Sequence, residues 1–279
     1  MLVSLRNYSN YSICESNIKI DDLVNFASKN NLSAIGLTDY KLLSGSLEFS
    51  IKCQKAGIQP IIGLDIDYVS ILGHSKRLTF LSKSVEGFKN LNILSTEVNT
   101  NNNFLLNENN IKNYANGNIL ILGGLYSYFD DIPINQKNLN KVLNEIKNLK
   151  EIFKNDLFFE YDPNLNNILL KEVSKKLEIP LFNSFFSFYK STNDFDAMQI
   201  LHCVKNGEYL QNSTFKINNS YSLDKSVDSS ENSLVLNSQL IAQKINFLIK
   251  EKPISLPNFS KGLASDEDSE IIKQSRSGL

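Results

Sequence analysis

Two aspartates that close apolar runs are the first candidates for chemistry in this chain. Asp39 ends the run AIGLTD, and Asp65 ends the run AGIQPIIGLD. Between the two runs lies SLEFSIKCQK, a segment of helical composition that Gly57 terminates. A strand–helix–strand unit of this kind builds a parallel sheet, and site residues collect at the carboxyl edge of such sheets. The spacing therefore predicts two carboxylates at one sheet edge, where they could hold a hard cation such as Mg²⁺.

The elements that would position these carboxylates recur along most of the chain. Apolar strand-like segments such as NILILGG and LFFEY alternate with amphipathic helical segments. This alternation predicts one α/β domain with a mainly parallel sheet, either open and doubly wound or closed into a barrel. The sequence contains no glycine fingerprint for a dinucleotide or a P-loop, which disfavours the nucleotide-binding doubly wound folds.

Composition excludes several classes of function. The 279 residues are 42% apolar and 21% charged, enough apolar content for a large core. The net charge of −1 gives no strong positive field for nucleic acid or an anionic membrane, although a local basic patch stays possible. No apolar run reaches the roughly 18 residues of a membrane span, and the start lacks a signal core. The widely spaced Cys14, Cys53 and Cys203 suggest reduced thiols, so we expect a cytoplasmic protein.

Nine segments, taken in order, resemble the N-terminal PHP (polymerase and histidinol phosphatase) domain of the bacterial DNA polymerase III alpha subunit. They are SLRNYSNYSICES, AIGLTDYKLLSG, AGIQPIIGLDI, RLTFLSKSVEGFKNL, NILILGG, LFFEY, IPLFNSFFSFY, DAMQILHCVKNGEYL and NSQLIAQKI, the last leading to LPNF. The resemblance implies an α/β fold of the PHP type, a distorted (β/α)7 TIM-like barrel over residues 1–255 with an irregular segment at about 211–230. Residues 256–279 would be a polar tail or the start of a missing polymerase region.

The same resemblance implies a degenerate metal site. Active PHP sites use histidines and carboxylates to hold metal ions that activate water for phosphoester cleavage. At the matching positions this chain has Ser4, Arg6, Tyr8, Asp39, Tyr40, Asp65 and Arg77, and then Phe185, Phe186, Ser187 and Phe188 in the late motif. Only two histidines occur in the whole chain. We therefore expect no catalytic residue, no resident metal and no cofactor; if any metal binds, Asp39 and Asp65 would hold a single Mg²⁺.

The two surviving carboxylates admit a second interpretation. Asp39 and Asp65 could cap loops or pair with Arg6 or Arg77 instead of binding a cation. We favour this interpretation, because an arginine neutralises carboxylates as a metal would and lets the fold persist without metal.

The remaining candidates have ordinary structural explanations that we prefer. His202 and Cys203 could suggest a metal site or a nucleophile, but adjacent helix residues point about 100° apart, so we expect packing or solvent contact. We expect His74 on the surface and Cys14 in an ordinary loop, although a reactive thiol is the alternative for Cys14. The Lys/Glu pattern from Lys137 to Lys154 could bind a partner, but a solvated helix face is the default.

An aromatic cluster occupies the position of the family's late metal motif. It consists of Phe185, Phe186, Phe188 and Tyr189. An exposed binding patch is one interpretation. We prefer the other, in which these rings fill the barrel mouth that metal ligands once occupied.

These observations lead to three functional hypotheses. The first is the N-terminal PHP domain of a replicative DNA-directed DNA polymerase, a nucleotidyltransferase, with this chain acting as an inactive scaffold. Its partners would be other polymerase III parts and the proofreading exonuclease subunit, with DNA reached only through the parent polymerase and no membrane involved. The second is a metal-dependent phosphoesterase or proofreading hydrolase. The third is a free-standing binding module.

Overall fold

The computed structural model describes residues 3–73, 75–125, 129, 136–183, 186–215, 219–225, 232–251, 253 and 266–278. The helices are α1 (Ile20–Lys29), α2 (Ser46–Lys55), α3 (Val85–Thr100), α4 (Gln136–Phe153), α5 (Ile168–Leu177), α6 (Phe195–Asn206), α7 (Asn232–Gln243) and α8 (Glu267–Gly278). The strands are β1 (Ala34–Leu37), β2 (Gln59–Val69), β3 (Ser75–Ser82), β4 (Leu106–Asn107), β5 (Asn118–Gly123), β6 (Leu157–Tyr161) and β7 (Leu181–Asn183).

The seven strands of the described residues form one mixed sheet. The order is β1-β2-β3-β5-β6-β7, with β4 paired to β2 outside this path. The β1–β2, β5–β6 and β6–β7 pairs are parallel, whereas β3 runs antiparallel to both β2 and β5. The expectation of a mainly parallel sheet is therefore corrected at β3. The link from Val69 to Ser75 is far shorter than the dozen or so residues that a parallel crossover needs.

The N-terminal segment closes the sheet. Ser4 bridges to Ile35 in β1, and Asn7 bridges to Ser187 just beyond β7, so one short segment lies between the two ends of the strand order. The Gly36 amide donates to the Ser4 carbonyl at 2.7 Å. The two edges of the sheet thus share a neighbour, and the predicted distorted barrel is confirmed.

Alternation along the strands divides the barrel interior into an apolar floor and a polar mouth. Ile61, Leu81 and Phe158 belong to one buried cluster that also includes Ile241 of α7. Because strand side chains alternate with a period of two, Asp65, Thr79 and Glu160 lie on the same faces as these residues. A larger apolar cluster joins β2, β3, β5 and β6 to α3, α4 and α5 on the outside of the sheet.

The chain forms two compact units, residues 1–249 and 250–279. The second unit contains α8, whose residues are mostly polar and exposed. The domain boundary expected at residue 255 stays a prediction. Within the segment at about 211–230, the described residues form single-turn 3₁₀ segments and one isolated bridge from Ser222 to Tyr189. In the described part of the chain, no helix combines the length and the apolar character needed to cross a bilayer.

Candidate functional site: a buried arginine at the barrel mouth

Arg6 is the centre of the barrel mouth. Its side chain is 3% exposed, and its Nη2 and Nη1 lie 3.2 Å and 2.5 Å from carboxylate oxygens of Asp65 and Glu160. The ring of Phe186 lies 4.4 Å from the guanidinium carbon. Burial alone lowers the pKa of the Arg6 guanidinium, but the charges of Asp65 and Glu160 outweigh that effect and the net shift is upward. The barrel therefore holds a permanent cation between two buried carboxylates.

Asp65 has a protein donor on each of its carboxylate oxygens. Its Oδ2 accepts from Arg6 and from the Tyr8 hydroxyl, and its Oδ1 accepts from Thr79 Oγ1 at 2.7 Å. Asp65 is fully buried. Asp65 ends the apolar run read from the sequence, but it lies inside β2, which continues to Val69.

Asp39 fixes the loop that follows the N-terminal segment. Its Oδ1 accepts from the Ser9 amide at 2.7 Å and from Ser12 Oγ at 2.6 Å, while its Oδ2 accepts from Ser9 Oγ at 2.7 Å. Burial raises the pKa of the Asp39 carboxyl, and the hydrogen bonds from Ser12 and Ser9 only partly oppose this. Asp39 therefore caps a loop, one of the two roles left open by the sequence.

Glu160 is the site residue that sequence reasoning missed. It lies in β6, is fully buried, and binds Arg6. A Cβ added to Gly124 would lie 2.2 Å from Glu160 Oε2, so only glycine leaves room for this carboxylate. The signal available in the sequence was a glutamate at the fourth position of the apolar strand LFFEY, where a charge needs a partner.

A second layer of charge covers the mouth. Arg77 Nη2 lies 2.7 Å from Glu15 Oε1, and Lys205 of α6 binds the same carboxylate. The guanidinium carbon of Arg77 lies 3.7 Å from the centre of the Tyr40 ring. Tyr40 in turn donates to Asp67 Oδ2 at 2.6 Å. Arg77 therefore pairs with Glu15 and stacks on Tyr40, whereas Arg6 makes the expected contact with Asp65.

Aromatic rings pack under this layer. Phe186, Phe188 and Tyr189 are at most 3% exposed. Tyr8 meets the Phe186 and Phe188 rings edge to face at 4.7 Å and 5.4 Å. The rings thus fill the mouth and leave no exposed patch among the described residues there. Phe185, the fourth member of the predicted cluster, lies outside the described residues.

The donor set does not fit a metal ion. Both oxygens of Asp39 and both oxygens of Asp65 accept hydrogen bonds from protein donors, and the Arg6 guanidinium lies against Asp65 where positive charge would be needed. Ser4 Oγ is itself engaged with the side chain of Asn7. Within the described residues, no group of three or more His, Cys, Asp or Glu side chains is arranged to hold a metal.

The other candidates lie apart from the mouth chemistry. Cys203 is buried, while His202 Nε2 lies 3.3 Å from Thr214 Oγ1 on the exposed side of α6. Cys14 is half-buried in a left-handed backbone conformation at φ 59°. Burial raises the pKa of the Cys53 thiol to about 12. His74 falls outside the described residues.

The first part of the chain matches the model of a known protein family. The family model described as the PHP domain matches residues 4–164, more than half of the chain. The match covers Arg6, Asp39, Asp65, Arg77 and Glu160, which form the mouth described above.

Curated relatives extend the match to nearly the full chain. DNA polymerase III subunit alpha of Buchnera aphidicola subsp. Acyrthosiphon pisum is 27% identical, over 99% of this chain and 25% of that protein. The corresponding subunit of Borreliella burgdorferi is 29% identical over 74% of this chain and 19% of that protein, and that of Rickettsia conorii is 28% identical over 99% and 25%. The chain thus spans about a quarter of the length of these relatives.

Two solved structures share general features of the fold. One is an amidohydrolase from Chromobacterium violaceum, with a TM-score of 0.48 and 8% identity over 68% of this chain and 88% of that chain. The other is described as a metal-dependent phosphoesterase from Bifidobacterium adolescentis, with a TM-score of 0.44 and 8% identity over 66% and 86%. Likenesses at this level do not bear on chemistry.

Proposed function

The chain belongs to the PHP domain family, and from this premise we propose that it is a non-catalytic PHP domain of a replicative DNA polymerase III alpha subunit. Its role would be to scaffold the polymerase and to dock other polymerase III parts, including the proofreading exonuclease subunit. Under this proposal it acts in the cytoplasm, reaches DNA within the polymerase, and needs no cofactor. The relatives, all DNA polymerase III alpha subunits, support the polymerase context.

One observation carries the non-catalytic part of the proposal, namely the Arg6 guanidinium between Asp65 and Glu160. Metal-dependent phosphoester hydrolysis needs carboxylates or imidazoles with free lone pairs around an ion that activates water. Here a protein cation neutralises the carboxylates, and Tyr8 and Thr79 occupy further oxygen positions on Asp65. The same contacts that stabilise the barrel remove the ligands that hydrolysis would require.

Metal analysis tests the absence of catalysis. The purified chain is incubated separately with Mg²⁺, Mn²⁺ and Zn²⁺, desalted, and assayed for bound metal by elemental analysis and for hydrolysis of a nitrophenyl phosphodiester. We expect far less than one metal ion per chain and hydrolysis equal to the blank. Stoichiometric metal, together with hydrolysis that EDTA abolishes and Asp39→Ala removes, would instead establish a phosphoesterase.

Co-purification tests the docking part separately. The tagged chain is mixed with the exonuclease subunit and with the remainder of the polymerase subunit from one organism. We expect at least one of them to be retained in a stable complex. Retention of neither would favour the free-standing binding module, and it would leave the metal result unaffected.

A further inference from the structure

A lysine-rich groove lies at the end of the barrel opposite the mouth, beside the amino ends of β5 and β6. It has a volume of about 510 Å³ and is lined by Lys83, Lys112 and Lys154 together with Asp156. A fourth lysine, Lys244, reaches it from just beyond α7 and binds Asp156 Oδ1 at 2.9 Å. Three lysines thus line the groove, a fourth contacts its one carboxylate, and the chain as a whole has a net charge of −1.

The charges in this groove are not mutually neutralised. Lys83 and Lys244 both bind Asp156, so that one carboxylate serves two ammonium groups. Lys112 and Lys154 are exposed and form no ion pair with any residue in the described ranges. The groove thus keeps a net positive charge, with two ammonium groups available to a ligand.

The turn after α4 places one of these lysines in an unusual conformation. Lys154 has a left-handed backbone with φ 54°, which residues other than glycine and asparagine seldom adopt. Asparagine tolerates this conformation better than lysine does, yet the left-handed residue is Lys154 and not the neighbouring Asn155. Lys154 lines the groove although a left-handed backbone is unfavourable for a residue with a Cβ atom.

A second, separate groove lies beside the last turns of α4. It has a volume of about 430 Å³ and is lined by Lys147, Lys150 and Lys176 against Glu151 and Glu178. The two grooves flank the same end of α4. Two glutamates partly offset its three lysines, and Lys150 donates to the Leu177 carbonyl, so this groove is less basic than the first. The solvated face expected for the Lys/Glu pattern of α4 stays a prediction.

We propose that the first groove, with Lys83, Lys112 and Lys154, binds the phosphodiester backbone of nucleic acid without reading base sequence. Lysine ammonium groups bind phosphate as point charges, and such contacts give sequence-independent affinity. Of the groove-lining apolar side chains, Phe153 is buried and Ala115 and Ile152 are half-buried, so an acidic peptide would have little apolar surface to cover. No aromatic ring is exposed among the described lining residues, which argues against base stacking.

Fluorescence anisotropy of the full chain with labelled single-stranded and duplex DNA tests the proposal. We expect both probes to bind at about 50 mM salt and to be released steeply towards about 200 mM, because binding releases counterions from the phosphates. The double variant Lys112→Gln/Lys154→Gln should weaken binding about tenfold or more. It should also lower the salt slope by about 1 for each phosphate that the variant no longer neutralises.

A charge-matched control separates this groove from general electrostatics. Lys29→Gln/Lys55→Gln removes two exposed lysines that lie on α1 and α2, and it should change the affinity less than about twofold. Equal losses in the two double variants would overturn the proposal. So would the absence of DNA binding at low salt, or binding of polyglutamate in preference to DNA. None of these outcomes depends on whether the mouth binds metal.

Discussion

At the scale of single residues, Arg6 determines the character of the mouth. A buried carboxylate without a partner is costly, and here two such carboxylates share one guanidinium. Metal ions can play the same electrostatic part, but they also polarise water, which a guanidinium does not do. An arginine at this position therefore preserves the fold's charge balance without supplying metal chemistry.

Replacing Arg6 tests this balance directly. Arg6→Met leaves Asp65 and Glu160 buried without their cation and should lower the free energy of unfolding by about 3–5 kcal/mol. The triple variant Arg6→Met/Asp65→Asn/Glu160→Gln removes the charges together and should recover a large part of that loss. Urea denaturation monitored by circular dichroism measures both. A loss below about 1 kcal/mol in Arg6→Met would mean that the triad does not hold the barrel mouth.

At the scale of elements, barrel closure depends on a close approach between β1 and the N-terminal segment. A Cβ on Gly36 would lie 2.0 Å from the Leu5 carbonyl oxygen, a contact with backbone that cannot move aside easily. The apolar run around Gly36 predicted β1 well, but nothing in the run indicated that its neighbour would be the start of the chain. Contacts between residues distant in sequence are set by the fold and leave no local pattern.

Gly36→Ala should therefore separate the N-terminal segment from β1. We expect it to destabilise the fold by about 3 kcal/mol or more, because either the strand or the closing segment must shift. Gly57→Ala is the matched control. Gly57 has φ 70° and open space around its added Cβ, so only the backbone penalty of about 1 kcal/mol applies. Similar losses of stability in the two variants, measured by thermal unfolding, would argue against tight packing of the N-terminal segment on β1.

At the scale of the whole molecule, one ion cluster links distant parts of the chain. Glu15 in the mouth loop binds Arg77 of β3 and Lys205 of α6. Burial by itself raises the pKa of the Glu15 carboxyl, but the hydrogen bonds and charges of Arg77 and Lys205 outweigh it, so the pKa falls below its usual 4.5. The cluster thus couples loop, sheet and helix through one ionised group.

The sign of this shift predicts a loss of stability in acid. A carboxyl whose folded pKa is depressed contributes stability above its unfolded pKa, and the contribution is lost as the pH falls through the folded value. The free energy of unfolding of the wild type should therefore exceed that of Glu15→Gln near neutral pH. The difference should shrink as the pH falls below 4.5. Urea titrations across that range measure it, and a constant difference would contradict the assignment.

The sequence predicted the fold better than it predicted the site. Apolar runs and helical periodicity are local, so they located most elements, but they left an open sheet and a barrel equally possible, and only the family resemblance implied the barrel. The antiparallel course of β3 was missed because it depends on the short link before Ser75. At the site, the partnership of Arg6 with Asp65 was anticipated as one of two possibilities. The third member, Glu160, is 154 residues from Arg6, and no periodicity connects them.

The buried triad also restricts which substitutions this chain can accept at the mouth. Replacing Arg6 with histidine would leave two buried carboxylates without their guanidinium partner. Tyr8 and Thr79 would still donate hydrogen bonds to Asp65, so a metal ion could not readily take the place of the guanidinium. A single substitution that adds a metal ligand here should therefore give a protein that folds less stably. Because the positive charge is carried on the chain itself, several coordinated substitutions would be needed to build a metal site at this mouth.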